Sequence, residues 1–305
     1  MGRPRLLLSV TNDNNDFQIE QVNGARHAAA RYGADLDVVY AQDNGVIQSQ
    51  QLLERIHSAT EPIPKAIIFE PAGSTTFPQA ARAAAGKGIG WVVLCRDAEY
   101  ISELRSAGIP AFVVTADHKE IGRIQGRQLA ALVPRGGIVL TIQGPSQSEA
   151  ARLRLAGLIE AKPENVQLRI VKGNWTESSA LKAVLSWLAL STSRGTDIAA
   201  VCAQDDSMAM GARKAFEQCS QELRGSWRKI PFLGCDGMPK TGQEWVRRGL
   251  LAATVLSPPT APVAIDLLGR FLQVGTMPPP RTLTETRSIP DIEALASKTW
   301  SVAAV

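Results

Sequence analysis

The feature that most constrains the fold of this 305-residue chain is a regular alternation of short apolar runs with amphipathic helical segments. The apolar runs, such as residues 65–70 (KAIIFE) and 89–95 (IGWVVLC), are dominated by consecutive Val, Ile and Leu instead of alternating with polar residues. Strands of this type are buried on both faces, so they indicate a parallel sheet that is covered by helices. We therefore expect an α/β protein.

The segments between the apolar runs repeat apolar residues at helical spacing. In residues 17–33, Ile19 and Val22 are expected on one buried face. Gly33 is expected to end this helix, because glycine readily adopts a positive φ. The predicted strands are 5–11, 35–41, 65–70, 89–95, 110–115, 138–143, 166–172, 197–203, 230–235, 251–256 and 283–288. The predicted helices are 17–33, 46–59, 76–87, 117–132, 148–161, 177–190, 205–218, 240–248 and 261–273, and a looser connection is predicted at 96–109.

These elements form two series of similar size, which predicts two domains. One large doubly wound sheet is the alternative, but so many parallel strands in one open sheet would be unusual. The last elements come too late to start a third domain, so they are expected to complete the first two. The predicted N-terminal lobe is residues 1–115 plus 256–282, and the predicted C-terminal lobe is 116–255 plus 283–305. Three chain crossings would then form the hinge between them.

The charge pattern argues against a nucleic-acid partner. The chain has 33 Lys and Arg against 29 Asp and Glu, a formal net charge of +4, and its basic residues are dispersed. Proteins that follow a phosphate backbone need a clustered basic face, because affinity scales with the number of phosphates neutralised. No stretch approaches the roughly 18 continuous apolar residues of a membrane-spanning helix.

The chain carries no recognisable metal, cofactor or catalytic motif. Its cysteines, Cys95, Cys202, Cys219 and Cys235, form no CxxC pair and show no zinc-type spacing, so they are predicted to be buried thiols. The patterns GxxxxGK[ST], HExxH and GxSxG are also missing. We expect no cofactor, no metal and no enzymatic activity. An α/β enzyme remains an alternative, because catalytic groups can converge from several strands.

Polar side chains collect where the predicted strands end, which is where ligands bind in open α/β sheets. They are Asn12, Asn15, Asp16, Glu70, Arg96, Asp97, Gln143, Asp205, Asp206 and Asp236. Helix capping is the alternative for Asp205, since Asp is a favoured N-cap. Capping does not explain Arg96, because a cation opposes the dipole at a helix N-terminus. Guanidinium groups and carboxylates together suit a polyhydroxylated ligand, to which they offer fixed donors and acceptors.

Two aromatic residues follow strand ends as well. Phe17 and Trp175 could pack against the C–H faces of a sugar. The alternative for both is ordinary packing at the start of a helix.

Several sequence segments resemble a known family in their order and spacing. They are Asn15-Asp16-Phe17, Gly24-Ala25, Ala28-Ala29, Asp117 with Gly122 and Gly126, and residues 151–157 (ARLRLAG), 203–212 (AQDDSMAMGA), 234–237 (GCDG) and 249–255 (GLLAATV). Over about residues 5–290 the chain resembles the type I periplasmic binding proteins. The resemblance is to their sugar-binding group, which includes ribose- and galactose-type receptors and shares its core with LacI-type regulators.

This resemblance implies two Rossmann-like parallel-sheet domains, joined by a three-crossover hinge, that close on a small ligand. It implies ligand contacts at Asn15, Phe17, Arg96, Arg154, Trp175, Asp205 and Asp236. Together with Asn12 and Glu70 from the strand-end pattern, these residues make up the predicted site. The sequence departs from the family pattern at Gln18, Cys95, Asp205 and Ser257, where the family often has Phe, Asp, Asn and Gln.

The expected function is that of an ABC transporter solute-binding protein for a carbohydrate-like ligand. Hinge closure would follow from ligand contacts that both lobes make only when closed. ABC permease subunits are the expected protein partner, and a monomer is expected. The alternative is a cytoplasmic ligand sensor of the same fold. It would lack a DNA-binding domain, because Arg5 already begins the first strand.

The family resemblance predicts a periplasmic location. The first residues do not form an export signal, because the apolar stretch turns polar at Thr11. A cytoplasmic location is therefore the alternative.

Overall fold

The chain folds into two compact α/β units. A computed structural model describes residues 2–60, 62–193, 196–218, 227 and 229–297, without the side chain of residue 192. Unit 1 contains the residues up to Ala116 together with Pro259–Thr284. Unit 2 contains Asp117–Pro258 together with the residues from Glu285 onward. Cys219 and the predicted lobe residues 298–305 lie outside the described residues.

Strands and helices alternate through most of the described chain. The strands are β1 (Arg5–Val10), β2 (Asp35–Tyr40), β3 (Ala66–Phe69), β4 (Gly90–Leu94), β5 (Ala111–Ala116), β6 (Gly137–Gln143), β7 (Val166–Lys172), β8 (Ile198–Ala203), β9 (Phe232–Leu233), β10 (Thr254–Leu256), β11 (Arg281–Thr284) and β12 (Arg287–Ile289). The helices are α1 (Asp16–Arg31), α2 (Gly45–His57), α3 (Pro78–Ala85), α4 (Ile101–Ser106), α5 (His118–Leu132), α6 (Glu149–Ala161), α7 (Glu177–Leu188), α8 (Asp206–Gln218), α9 (Gly242–Arg247), α10 (Thr260–Val274) and α11 (Ile292–Ala296).

Unit 1 is built on a six-stranded parallel sheet in the order β11-β5-β4-β3-β1-β2. Alternate residues of its central strands point to opposite faces. Ile67 and Phe69 pack beneath α2, α3 and α4, whereas Ile68 and Val92 pack beneath α1 and α10. The prediction of strands covered on both faces is confirmed for this centre. It is wrong for the edge strand β2, whose residues are only partly buried or exposed.

Unit 2 contains a four-stranded parallel sheet in the order β7-β6-β8-β9. Helices α5 and α6 contribute Leu129 and Leu158 to the core on one face, and α7 and α8 contribute Val184 and Ala212 on the other. Single parallel bridges continue the sheet from Leu233 to Ala253 and from Asp236 to Leu256. β10 pairs antiparallel with β12. Unit 2 therefore contains an antiparallel strand pair in addition to the parallel sheet that was predicted.

Two predicted segments differ from the structure in an instructive way. The strand predicted at 283–288 is two strands, because the chain passes from unit 1 to unit 2 after Thr284. β11 pairs with β5 in unit 1, and β12 pairs with β10 in unit 2. The looser connection predicted at 96–109 contains the short helix α4, whose Ile101 and Leu104 are buried in the core. A helix of this length depends on tertiary packing and leaves little periodic signal.

The closest helix pair in unit 2 is α5 against α6, and glycines make the approach possible. A Cβ added at Gly157 would lie 1.9 Å from the Lys119 carbonyl oxygen, and one at Gly122 would lie 2.0 Å from the Arg154 carbonyl oxygen. No side chain fits into such contacts without a shift of the backbone. The two glycines therefore set the position of α6 and of Arg154 on it.

Among the helices of the described ranges, none is long and apolar enough to cross a membrane.

Candidate functional site

Unit 1 brings several predicted residues to neighbouring strand ends. Because the strand order is β4-β3-β1, the carboxyl ends of these three strands lie side by side. Asn12, Asn15 and Phe17 follow β1, Glu70 follows β3, and Arg96 follows β4.

The loop after β1 is organised by Asn12 and Asn15. Asn12 Oδ1 accepts the backbone N–H of Asn15 at 3.1 Å, and Asn12 Nδ2 donates to Asp43 Oδ1 at 2.9 Å. Asn15 Oδ1 accepts the Phe17 N–H at 2.9 Å and so caps α1. These contacts fix the backbone from which Phe17 projects.

Phe17 is half-buried at the first turn of α1. Within the described part of unit 1, neither core cluster includes it. Its ring is therefore not required for packing of the core. This observation favours the ligand-contact interpretation of Phe17 over the packing alternative.

Glu70 is the centre of a polar network at the end of β3. Its Oε2 accepts hydrogen bonds from Gln18 Nε2 at 2.9 Å and from Gln21 Nε2 at 3.3 Å. Desolvation raises the pKa of Glu70, while these two hydrogen bonds, the Cys95 thiol and the charge of Arg96 oppose the rise. Behind it, the buried Gln48 donates to the Glu70 carbonyl oxygen at 2.8 Å.

Arg96 and Cys95 follow β4 beside this network. Arg96 Nη1 donates to the Gly73 carbonyl oxygen at 2.8 Å, so it braces the loop that follows β3. Cys95 adopts a left-handed backbone conformation with φ of 62°. Its Sγ lies 3.4 Å from Thr260 Oγ1 and 3.7 Å from Gln21 Nε2. The prediction of a buried thiol is wrong here, because Cys95 is half-buried at the sheet edge.

Unit 2 brings two predicted residues, Trp175 and Asp236, to the Arg154 guanidinium. Arg154 Nη1 lies 3.6 Å from Asp236 Oδ1, and its Cζ lies 5.6 Å from the centroid of the Trp175 ring. Arg154 Nη1 also donates to the carbonyl oxygen of Gln204. The side chain is 8% exposed, so the guanidinium is held in a largely water-excluded place. We name this group the Arg154 cluster: Arg154, Trp175 and Asp236.

Two features fix the position of Trp175: the conformation of its backbone and the packing of its ring. Its φ is 58°, a left-handed value that is uncommon for a bulky residue. The ring covers Gly144, where an added Cβ would come within 2.4 Å of it. Trp175 also packs partly against the α7–α8 core, so the packing and ligand-contact interpretations both have support.

Asp205 and Asp206 start α8 beside the Arg154 cluster. Asp205 Oδ1 accepts the Met208 N–H at 2.5 Å, which is the helix-capping role considered as its alternative. Asp206 Oδ2 accepts the Gly237 N–H at 2.8 Å, and its Oδ1 accepts from Thr254 Oγ1 at 2.6 Å. Asp206 therefore ties the loop that carries Asp236 to the neighbouring strand.

Burial controls ionisation in this part of unit 2. Desolvation raises the pKa of Asp206 well above its ordinary value of 3.8, and the charge of Asp236 raises it further. Desolvation also raises the pKa of Cys202 to about 12 and raises that of Cys235. These two thiols stay protonated at neutral pH, so they are poor nucleophiles. Within the described ranges, no group of three His, Cys, Asp or Glu side chains could hold a metal ion.

The sequence analysis missed two residues of the Glu70 network, Gln21 and Thr260. Gln21 donates to Thr260 Oγ1 at 3.0 Å, and its Oε1 accepts the Ala261 N–H at 2.7 Å. The helical pattern contained a signal for Gln21, which lies four residues before the buried Ala25. Ile19 was expected on the buried face but is 41% exposed.

Fold and site together define a class: an α/β protein of two parallel-sheet units with side chains for polar ligands at its strand ends. The chain belongs to the periplasmic binding protein domain family, whose model matches residues 6–275. This match confirms the resemblance inferred from the sequence.

The chain is similar to two proteins of Escherichia coli (strain K12). It is 26% identical to the ribose import binding protein over 259 residues, which cover 85% of this chain and 81% of that protein. It is 28% identical to the D-allose-binding periplasmic protein over 254 residues, which cover 81% of this chain and 76% of that protein.

A solved structure has the same fold. It is an ABC transporter periplasmic solute-binding protein from Actinobacillus succinogenes 130z with bound D-allose. The TM-score is 0.79 at 24% identity, and the match covers 97% of this chain and 100% of that one.

Proposed function

We propose that this protein is the solute-binding component of an ABC transporter and that it binds a carbohydrate-like ligand. The Arg154 cluster carries the proposal. A guanidinium, an indole face and a carboxylate in contact offer donors, an apolar surface and an acceptor to one small polyhydroxylated molecule. The related ribose and allose import proteins support a sugar as the ligand class.

The proposed ligand-binding residues are those of both units. In unit 1 they are Asn12, Asn15, Phe17, Glu70 and Arg96. In unit 2 they are Arg154, Trp175, Asp205 and Asp236. Ligand contacts from both units would stabilise a closed form, so the ligand would shift the hinge equilibrium by its differential affinity.

The proposed partners are the membrane subunits of an ABC permease, which would recognise the closed form. We propose a monomer in the periplasm with a transport role and no catalysis. The names of the related proteins support the transport role and the periplasmic location.

A thermal-shift screen tests the proposal. Purified protein is heated with pentoses, hexoses, polyols, sugar acids and amino sugars. A ligand at a hundredfold excess over its Kd should stabilise the folded state by about 2.7 kcal/mol, which is readily seen as a higher Tm. Stabilisation confined to one class of sugar supports the proposal. If no carbohydrate raises the Tm, the receptor function is refuted.

A further inference from the structure

The network around Glu70 in unit 1 contains hydrogen-bond acceptors that are not fully used inside the protein. We name it the acceptor corner: Gln18, Gln21, Glu70, Cys95 and Thr260. Both of its amide nitrogens donate hydrogen bonds inside the protein. Gln18 Nε2 donates to Glu70 Oε2, and Gln21 Nε2 donates to Glu70 Oε2 and to Thr260 Oγ1.

One acceptor in the corner is left without a partner. Gln18 is 5% exposed, and its Oε1 is buried with no hydrogen-bond partner among the described residues. Such an orphaned acceptor is costly and uncommon in native proteins. It belongs to the same side chain whose Nε2 donates to Glu70 Oε2.

Among the residues that the structure describes, none forms an ion pair with the Glu70 carboxylate. Arg96 is the neighbouring guanidinium, but it donates to the Gly73 carbonyl oxygen, and its charge is the weakest of the influences on the pKa of Glu70. The Cys95 thiol also contacts Glu70, and a thiol is a weak donor. Glu70 is half-buried, and carboxylates removed from water are normally accompanied by a close positive charge.

The charges at the strand ends of unit 2 point in the same direction. Asp236 is a carboxylate beside Arg154, and Asp205 directly follows Gln204, whose carbonyl oxygen accepts a hydrogen bond from the same guanidinium. The proposed site contains the carboxylates of Glu70, Asp205 and Asp236 and only two guanidinium groups, those of Arg96 and Arg154. This comparison takes Asp206 as neutral and leaves it out. A neutral sugar leaves this imbalance in place, whereas a cationic ligand removes it.

We propose that the acceptor corner binds an ammonium group, so that the ligand is a polyhydroxylated compound with a primary amine, such as an amino sugar or an aminocyclitol. An ammonium has three N–H donors and no acceptor, which matches a corner that contains the Glu70 carboxylate and the unpartnered Gln18 Oε1. A hydroxyl has only one donor and no positive charge to pair with the carboxylate. This inference rests on the proposed receptor function and narrows its substrate class.

Isothermal titration calorimetry with matched sets of ligands tests the inference. Each set contains a neutral parent, its amino-deoxy derivatives at different ring positions, and their N-acetyl derivatives. D-glucose, D-galactose and myo-inositol are suitable parents. One amine should bind about tenfold more tightly than its parent and its N-acetyl form, because a hydrogen bond between charged groups is stronger than a neutral one.

Variants locate the effect. Glu70→Gln should remove the preference for the amine, whereas Glu99→Gln should retain it. Glu99 is an exposed glutamate in the loop after β4, so it controls for the loss of one negative charge. Wild-type affinity for the amine should also fall as the pH is raised through the pKa of the ligand amine. This pH dependence of the wild-type affinity tests the inference if Glu70→Gln does not fold.

The outcomes separate the inference from the function on which it rests. If a neutral parent binds at least as tightly as every amine in its set, the inference is overturned and the receptor function stands. An amine preference that survives in Glu70→Gln overturns the assignment to the acceptor corner. If no compound of any set binds and no carbohydrate of the thermal-shift screen raises the Tm, the proposed function fails as well.

Discussion

The guanidinium carbon of Arg154 lies 5.6 Å from the centroid of the Trp175 ring. The two residues come from different elements: Arg154 lies in α6, and Trp175 lies in the loop before α7. A cation over an indole face is attracted by the ring quadrupole, most strongly where water is excluded. The contact holds the guanidinium and the indole in one arrangement with Asp236.

Replacement of Arg154 should abolish ligand binding. Arg154→Ala removes the fork and leaves Asp236 without its ion pair, so the unfolding free energy should fall by about 1–2 kcal/mol. Arg154→Lys should keep more stability but not recover affinity, because an ammonium cannot reproduce the planar fork. Urea unfolding and calorimetry check both effects. Arg152→Ala, an exposed change on the same helix, is the control, and normal binding by Arg154→Ala would refute the assignment.

A methyl group at Gly144 should displace the Trp175 ring. The added Cβ would stand 2.4 Å from the indole, so Gly144→Ala should cost about 1–3 kcal/mol of stability through overpacking. Ligand affinity should fall too, because the ring leaves its place beside Arg154. The combined variant with Trp175→Ala should relieve the steric cost. A double-mutant cycle on the unfolding free energy measures this coupling, and purely additive effects would contradict the contact.

Gln48 should be a major stabilising residue of unit 1. Its Nε2 donates to Ser9 Oγ at 2.9 Å and to the Glu70 carbonyl oxygen at 2.8 Å, and its Oε1 accepts the Ala72 N–H at 2.7 Å. Gln48→Leu leaves these groups unpaired, so we expect a loss of about 3 kcal/mol in urea unfolding.

The matched control for that change is Gln50→Leu. Gln50 is exposed on the same helix, so its replacement should change stability by no more than about 0.5 kcal/mol. Equal effects of the two substitutions would show that the Gln48 hydrogen bonds contribute nothing particular.

Asp206 should make stability depend on pH. Its pKa is raised in the folded protein above the ordinary value of 3.8, so the folded state holds this proton at pH values where the unfolded chain has released it. Stability from this group is therefore fully present below about pH 3.8 and is lost as the pH rises through the folded pKa. Wild type should lose stability relative to Asp206→Asn over that rise.

Urea unfolding of the two proteins at several pH values between about 4 and 7 measures the difference. The asparagine can still accept from Gly237 and donate to the Thr254 hydroxyl, so the fold is retained. A constant difference between the two proteins across this range would contradict the raised pKa.

The ends of the core strands could be predicted from the sequence, because continuous apolar runs of strand length are typical of a parallel sheet that is covered by helices. This reasoning places Glu70 and Arg96 at strand ends, and the strand order of the structure makes those two ends neighbours. Capping chemistry is equally local, and Asp117 accepts the Glu120 N–H at the start of α5 as its sequence position suggests.

Other features depend on contacts between distant parts of the chain. The Gln21–Thr260 hydrogen bond joins residues 239 positions apart, and no local pattern specifies it. Gln18 and Gln21 are buried where apolar residues would be expected, because Glu70 supplies the acceptor for their amides. The division of residues 283–288 between two sheets likewise follows from where the chain passes between the units.

The most direct test of the central claim is calorimetric titration of the best ligand from the screen into wild type, Phe17→Ala and Trp175→Ala. These aromatic residues lie in different units. If one ligand uses both units, each variant should lose at least about tenfold in affinity, or about 1.4 kcal/mol, with one binding site retained. A ligand that binds both variants as tightly as wild type would contradict the account of a receptor whose two units share one solute.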